Sequence, residues 1–385
     1  MPSQDQVDAA ALQLAISARE LLGLPVEAHE DGGFSSSAPT LPYHPPEVPA
    51  SSITPLSFAQ KLACPSPLLI RGALQDRKAL QQWKEPGYLV AKMGNKKVKV
   101  SVTPDGRADD LKPLAGPGGQ EKTVFALPAE AEMTFAELMS KVTTQSSQPS
   151  SSHDPSPVYY LQSQDSNLTD SSTGAGDLSP LLQDLLDSEG RSDISWASEA
   201  IGSKPEAVNV WLGGSKSQSS MHRDHYENLF FTVRGRKTFT VFPPFEAHFL
   251  CEDPRRPFDV HRHSADLPHN LSATPEEGTP ATPWIPIDPT LPPDAARNRP
   301  NRRYAKGLKP LSIEVSEGEM LFLPAGWYHH VSQQADDRTE RVCIAVNWWY
   351  ESQAAFGPQW AMLDFIKAMG DGVHDDDDDD DGESR

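Results

Sequence analysis

The residues best placed to do chemistry lie in 221–228 (MHRDHYEN) and, about a hundred residues later, in 321–330 (LFLPAGWYHH). His222 and Asp224 are two apart, and on an extended chain such side chains project to one face. A His-x-Asp pair alone carries little, because its bland alternative is a surface histidine beside a solvated aspartate. A histidine that follows a distant apolar strand makes the pattern far more specific. Two imidazoles and one carboxylate can occupy one face of an octahedral iron(II) and leave three positions open. Two of those positions suit a bidentate 2-oxo acid and the third suits O2. The chain bends at 324–326 (PAG), and only one of His329 and His330 can face inward while it is extended. His329 is the expected third ligand, with His330 turned to the surroundings of the ligands. A competing pair, His261 and His263, sits in a Pro-rich, charged stretch that reads as a solvated loop.

Lys237 lies in 235–242 (GRKTFTVF), where alternation puts it on one face with Phe239 and Val241. A buried ammonium needs an anionic partner, and the distal carboxylate of 2-oxoglutarate is a suitable one. The bland alternative is an edge-strand lysine facing water. Asn228 and Asn347 are amides inside apolar strands, and buried amides need hydrogen-bond partners. They can hold the cosubstrate or a metal-bound water, or simply tie barrel strands together.

These residues need a scaffold. Val7, Ala11, Leu14, Ala18 and Leu21 recur at helical spacing and predict a helix over 5–22, stopped by Gly23 and Pro25. Residues 1–55 thus read as a helix and a Pro/Ser-rich connector. Residues 56–200 read as a mixed α/β part packed on a barrel. It has strands at 68–72, 97–102 and 158–162, a short helix at 180–186 and a mobile Ser-rich insert at 144–156. Residues 201–368 read as the catalytic barrel. It has a strand at 208–212, a hairpin pairing 228–233 with 237–242, a polar excursion over 252–310 and last strands at 320–323 and 342–348. A helix over 355–368 closes it, and 369–385 read as a disordered acidic tail. Many short strands with Gly and Pro turns predict a mainly β fold with flanking helices, a double-stranded β-helix of the jelly-roll or cupin type.

Composition narrows the partners. The net charge is −20, and near −13 without the seven aspartates of 375–381. Such a chain is ill suited to phosphate binding, so no direct nucleic-acid partner is expected, whereas a basic protein or peptide fits. The three cysteines, Cys64, Cys251 and Cys343, are far apart and show no zinc-like spacing. Neither a leader segment nor a membrane span is evident. The expectation is a reducing compartment, cytoplasmic or nuclear.

Taken together, the His-x-Asp followed by ENLF, the hairpin-like GRKTF…FPP segment, the LPAGWYHHV segment and the VNWWY strand resemble the JmjC oxygenases. The stretches 101–109 (SVTPDGRAD), 196–202 (WASEAIG), 209–213 (NVWLG) and 284–289 (WIPIDP) are similar to a small JmjC subgroup of (3S)-lysyl hydroxylases. The likeness runs over about residues 5–365. It implies the cupin barrel, with His222, Asp224 and His329 as Fe(II) ligands and O2 as cosubstrate. It implies Lys237 and Tyr160 gripping 2-oxoglutarate, with Asn228 and Asn347 nearby and Ser219 where the subgroup carries a threonine. It also implies a homodimer and a substrate lysine in a GTPase-type protein. Alternatives are an N-methyl-lysine demethylase, a histone-tail endopeptidase, or an inactive cupin used for binding.

Overall fold

The structure, a computed structural model, describes residues 3–29, 38–115, 121–147, 157–162, 166–169, 178–264, 272–338 and 340–352, together with 361, 365 and 366. Most of the expected closing helix, the acidic tail and positions 148–156 of the Ser-rich insert lie outside them. Residues 144–147 of that insert continue the helix Phe135–Ser147.

Eight strands form the barrel. They are β1 (Ala207–Gly213), β2 (Gln218–Arg223), β3 (Tyr226–Arg234), β4 (Arg236–Phe242), β5 (Leu311–Ser316), β6 (Glu319–Leu323), β7 (Tyr328–Gln334) and β8 (Cys343–Glu351). One sheet has β5-β4-β7-β2 at its centre, and the facing sheet has β6-β3-β8-β1. Short strands continue both sheets. Leu41–Pro42 and Arg107–Ala108 extend the first, while Leu68–Arg71, Val158–Leu161, Lys97–Thr103 and Ala129–Thr134 are among those that widen the second. Val, Ile and aromatic residues dominate these strands, and β1, β3 and β8 are buried along nearly their whole length. Each fully buried large apolar side chain stabilises by about 1.5–3 kcal/mol.

The expected hairpin of 228–233 with 237–242 does not form. β3 pairs with β6 and β8, whereas β4 pairs with β5 and β7, so consecutive strands cross to opposite sheets. Gly235 makes the crossing at φ +78°, and an added Cβ would lie 2.5 Å from the Gln334 carbonyl oxygen. Lys237 therefore stands on a central strand rather than an edge. β7, carrying both candidate histidines, lies between the two strands expected to be last. The excursion after β4 is also more ordered than expected. Val260–His263 is a strand, paired with Ala273–Pro275 and with Glu121–Leu127. His263 is buried there, not solvated.

The N-terminal helix spans Gln4–Leu21, capped by Ser3 and Gln6 in a reciprocal capping box. Its buried face differs from the expected stripe. Ala11, Ala15 and Ala18 are covered, while Leu14 and Leu21 are 37% and 87% exposed. Charged contacts set this rotation: Arg19 donates to Glu246 at 2.6 and 2.8 Å, and His248 Nε2 lies 2.8 Å from Asp8 Oδ1. Among the described residues no helix is long and apolar enough to cross a membrane.

Candidate metal centre

β2 and β7 are antiparallel neighbours, and their register sets His222 directly opposite His329. The two rings stand 4.2 Å apart between centroids. β2 shifts register between Ser219 and His222, a bulge that re-aims the strand as it enters the cavity. Asp224 follows just past the strand end, where its carbonyl accepts from Gly326 N–H at 2.8 Å. This bond joins the His-x-Asp segment to the Pro324–Gly326 bend that precedes β7. Asp224 Oδ2 lies 4.0 Å from His222 Nε2 and 3.6 Å from His329 Nε2. One ligand atom from each of the three residues falls within 4.8 Å of the others, and no other such group occurs among the described residues.

Each imidazole is oriented by its second nitrogen. His222 Nδ1 lies 2.7 Å from the Ser220 carbonyl, and His329 Nδ1 lies 3.0 Å from the Trp327 carbonyl. Those carbonyls take the Nδ1 proton and leave Nε2 free as a lone-pair donor, the arrangement usual for a metal-binding histidine. Burial, followed by the nearby His222, lowers the His329 pKa to about 4, so it is neutral at physiological pH. The donor set is thus compatible with iron(II): two imidazole nitrogens and one carboxylate on one side of a wide space. That space is a cavity of about 820 Å3, walled by Trp211, Phe230, Phe239 and Trp349 as well as by the triad.

Deeper in the same cavity, Lys237 is 1% exposed. Its Nζ donates to Tyr160 Oη at 3.1 Å and to Gln333 Oε1. Both partners are neutral, so the ammonium has no counter-charge of its own among them. Burial raises the Tyr160 pKa, keeping its hydroxyl protonated. Gln333 escaped the sequence reading, although the signal was present. His329, Val331 and Gln333 alternate along β7, and Gln333 is the register partner of Lys237 on β4. Its amide also donates to the Gly214 carbonyl at 2.7 Å.

Ser219 lines the cavity opposite Val331. Asn228 and Asn347 also line it, and they bond to each other at 3.3 Å, while Trp211 Nε1 donates to Asn347 Oδ1 at 2.9 Å. These amides tie β1, β3 and β8 together, which is the structural role weighed for them. His330 points to the opposite face of the sheet. It is 1% exposed, and neither of its nitrogens has a hydrogen-bond partner among the described residues. It therefore makes no hydrogen bond to any of the three candidate ligands.

A cupin-like domain matches residues 55–356, so the chain belongs to the cupin-like family. Within it, the most similar relatives belong to the JmjC type, whose members are 2-oxoglutarate oxygenases. The human bifunctional peptidase and (3S)-lysyl hydroxylase JMJD7 is 38% identical over 301 residues, 78% of this chain and 82% of the relative. The lysine-specific demethylase JMJ32 of Arabidopsis thaliana is 33% identical over 325 residues, 83% of this chain and 85% of the relative. The JmjC domain-containing protein E of Dictyostelium discoideum is 32% identical over 311 residues, with 78% and 82% covered.

Proposed function

We propose that this chain is an Fe(II)- and 2-oxoglutarate-dependent hydroxylase of a protein lysine, with a GTPase-type protein as the expected substrate. The observation that carries the reading is the convergence of three ligand atoms within 4.8 Å in a cavity whose buried lysine has only neutral partners. His222 and His329 would hold the metal through Nε2 and Asp224 through a carboxylate oxygen. A metal bound with 2-oxoglutarate and O2 supplies the oxidation of an unactivated C–H bond. The protein's own part is positioning and the exclusion of water.

Lys237 would receive the distal carboxylate of 2-oxoglutarate, and Tyr160 would donate its hydroxyl proton to the same group. Gln333, anchored on the Gly214 carbonyl, keeps the Lys237 ammonium aimed into the cavity. Ser219 adds a hydroxyl on the same wall, from the strand on the far side of β7. Trp211, Phe230, Phe239 and Trp349 form the apolar lining that keeps solvent from the reacting carbon. The relative named a (3S)-lysyl hydroxylase supports the lysine assignment.

The test is mass spectrometry of cell extract treated with the purified chain, Fe(II) and 2-oxoglutarate. A 2-oxoglutarate-dependent gain of one oxygen on a lysine is expected, absent with Asp224→Ala. The relative named a demethylase favours a second reading, in which the product is lysine that has lost a methyl group. Formation of neither product, with no succinate, would leave only a binding module.

A further inference from the structure

Asp109 is a cavity carboxylate that the metal triad does not use. A tight turn at Thr103–Gly106 brings it there. Gly106 has φ +83°, and an added Cβ would fall 1.9 Å from the Lys216 carbonyl oxygen, so the chain can pass this close only as glycine. The strand Arg107–Ala108 then runs parallel to Gln218–Ser219, beside the His-x-Asp strand. Asp109 follows at φ +52°, a left-handed conformation uncommon outside glycine.

Two links fix its place. Ser220 Oγ donates to the Asp109 carbonyl, and Trp284 Nε1 donates to Ser220 Oγ at 3.2 Å. Trp284 in turn lies against Phe125, with centroids 4.4 Å apart, and both rings line the cavity. The Asp109 carboxylate itself has no hydrogen bond or ion pair among the described residues. The Glu130 carboxylate on the same cavity differs, being paired with Lys99 at 2.6 Å. Burial raises the Asp109 pKa to about 6, against the smaller downward pull of the nearby His222 and Arg262.

We propose that Asp109 receives the cationic head of the substrate side chain, with Trp284 and Phe125 packing along its methylenes. This rests on reading the cavity as the oxygenase site. A head group held by a carboxylate that is not a metal ligand leaves a carbon of the chain, rather than an N-methyl, to face the metal. Unmethylated lysine brings N–H donors to Asp109, and trimethyl-lysine brings none. The preference should therefore run lysine first, trimethyl-lysine well behind, and norleucine last.

Asp109→Asn tests this, because asparagine tolerates the left-handed backbone and keeps the shape while removing the charge. The probes are three peptide libraries with randomised flanks and a fixed central lysine, trimethyl-lysine or norleucine. Retention on immobilised Mn(II)-loaded protein is measured for the wild type and for Asp109→Asn, with melting temperature as the check on folding. The wild type should retain lysine peptides over norleucine peptides. Asp109→Asn should lose about tenfold of that selectivity, the scale of one charge-assisted hydrogen bond. In turnover, the variant should raise KM for lysine peptides more than it lowers kcat. Equal retention of the lysine and norleucine libraries by the wild type, or undiminished selectivity in Asp109→Asn, would overturn the proposal. Lysine selectivity that depends on Asp109, without any oxygen added to the retained peptides, would uphold it and sink the hydroxylase reading instead.

Discussion

His329 and His330 are neighbours on one strand, both buried, and burial lowers the pKa of each to about 4. Yet the candidate metal centre lies on the inner face of that sheet and not on the outer one. Inside, His329 meets His222 and Asp224, and each imidazole is aimed by a backbone carbonyl. Outside, His330 has no hydrogen-bond partner among the described residues, and the charges around it are matched within the protein. Arg107 pairs with Asp288 at 2.7 Å, and Arg297 grips the fully buried Asp110 with both terminal nitrogens. On the inner face the Lys237 ammonium hydrogen-bonds only to neutral groups, and the Asp109 carboxylate has no hydrogen bond or ion pair among the described residues. Burial and a shifted pKa are common to both faces. What separates them is that the outer charges are paired within the protein, while Lys237 and Asp109 on the inner face have no ion pair among the described residues.

The sharpest way to break this contrast is to exchange the two histidines' fates. His329→Ala should abolish 2-oxoglutarate turnover, whereas His330→Leu should retain it and change stability by about 1.5 kcal/mol or less. Both are read by succinate formation and denaturant unfolding. Loss of turnover in His330→Leu, with folding intact, would contradict the assignment.

The charges sharpen it further. Lys237→Met should raise KM for 2-oxoglutarate by about two to four powers of ten, since losing one partner of a buried pair costs ~3–5 kcal/mol. The same substitution should leave the ligand-free protein as stable as before, because no anion is stranded. Asp110→Asn should do the reverse. Arg297 holds the Asp110 carboxyl below its ordinary pKa against the upward push of burial. The variant should lose ~3–5 kcal/mol of stability. Equal destabilisation by both would erase the distinction between faces.

A smaller effect concerns pH. His29 packs on Tyr304 beneath the outer face, with centroids 4.9 Å apart. Burial, then Lys309 and Arg19, lower its pKa from 6.5 to about 4. The unfolded chain therefore binds a proton that the folded one refuses between those values. Its contribution to stability is complete above pH 6.5 and is lost as pH falls toward 4, with a slope of at most about 1.4 kcal/mol per pH unit. His29→Phe should lower the slope of stability against pH in that window, leaving the part contributed by His329 and His330.

Much of the site was legible because strand geometry is periodic. Two-residue spacing gathers His222 with Asp224 and Lys237 with Phe239 and Val241, and the apolar run before Pro324 announces a strand ahead of His329. The same rule applied to His329, Val331 and Gln333 would have found the amide that holds Lys237. The 228–242 segment defeated it for a physical reason. β3 is buried on both faces, and a one-glycine turn looks alike whether the flanking strands pair or cross to facing sheets. Asp109 was visible only within a stretch resembling the hydroxylase subgroup. Its place depends on a left-handed backbone and a parallel pairing between residues far apart in sequence, neither of which alternation reveals. The helix stripe failed because ion pairs of Asp8 and Arg19, not leucine content, fix which face docks.

Calorimetric titration of the metal-stripped protein with Mn(II) under 2-oxoglutarate tests the central claim most directly. One ion per chain should bind to the wild type and none to Asp224→Ala at the same concentrations. Equal binding by the two proteins, or none by the wild type, would contradict a metal centre built from His222, Asp224 and His329.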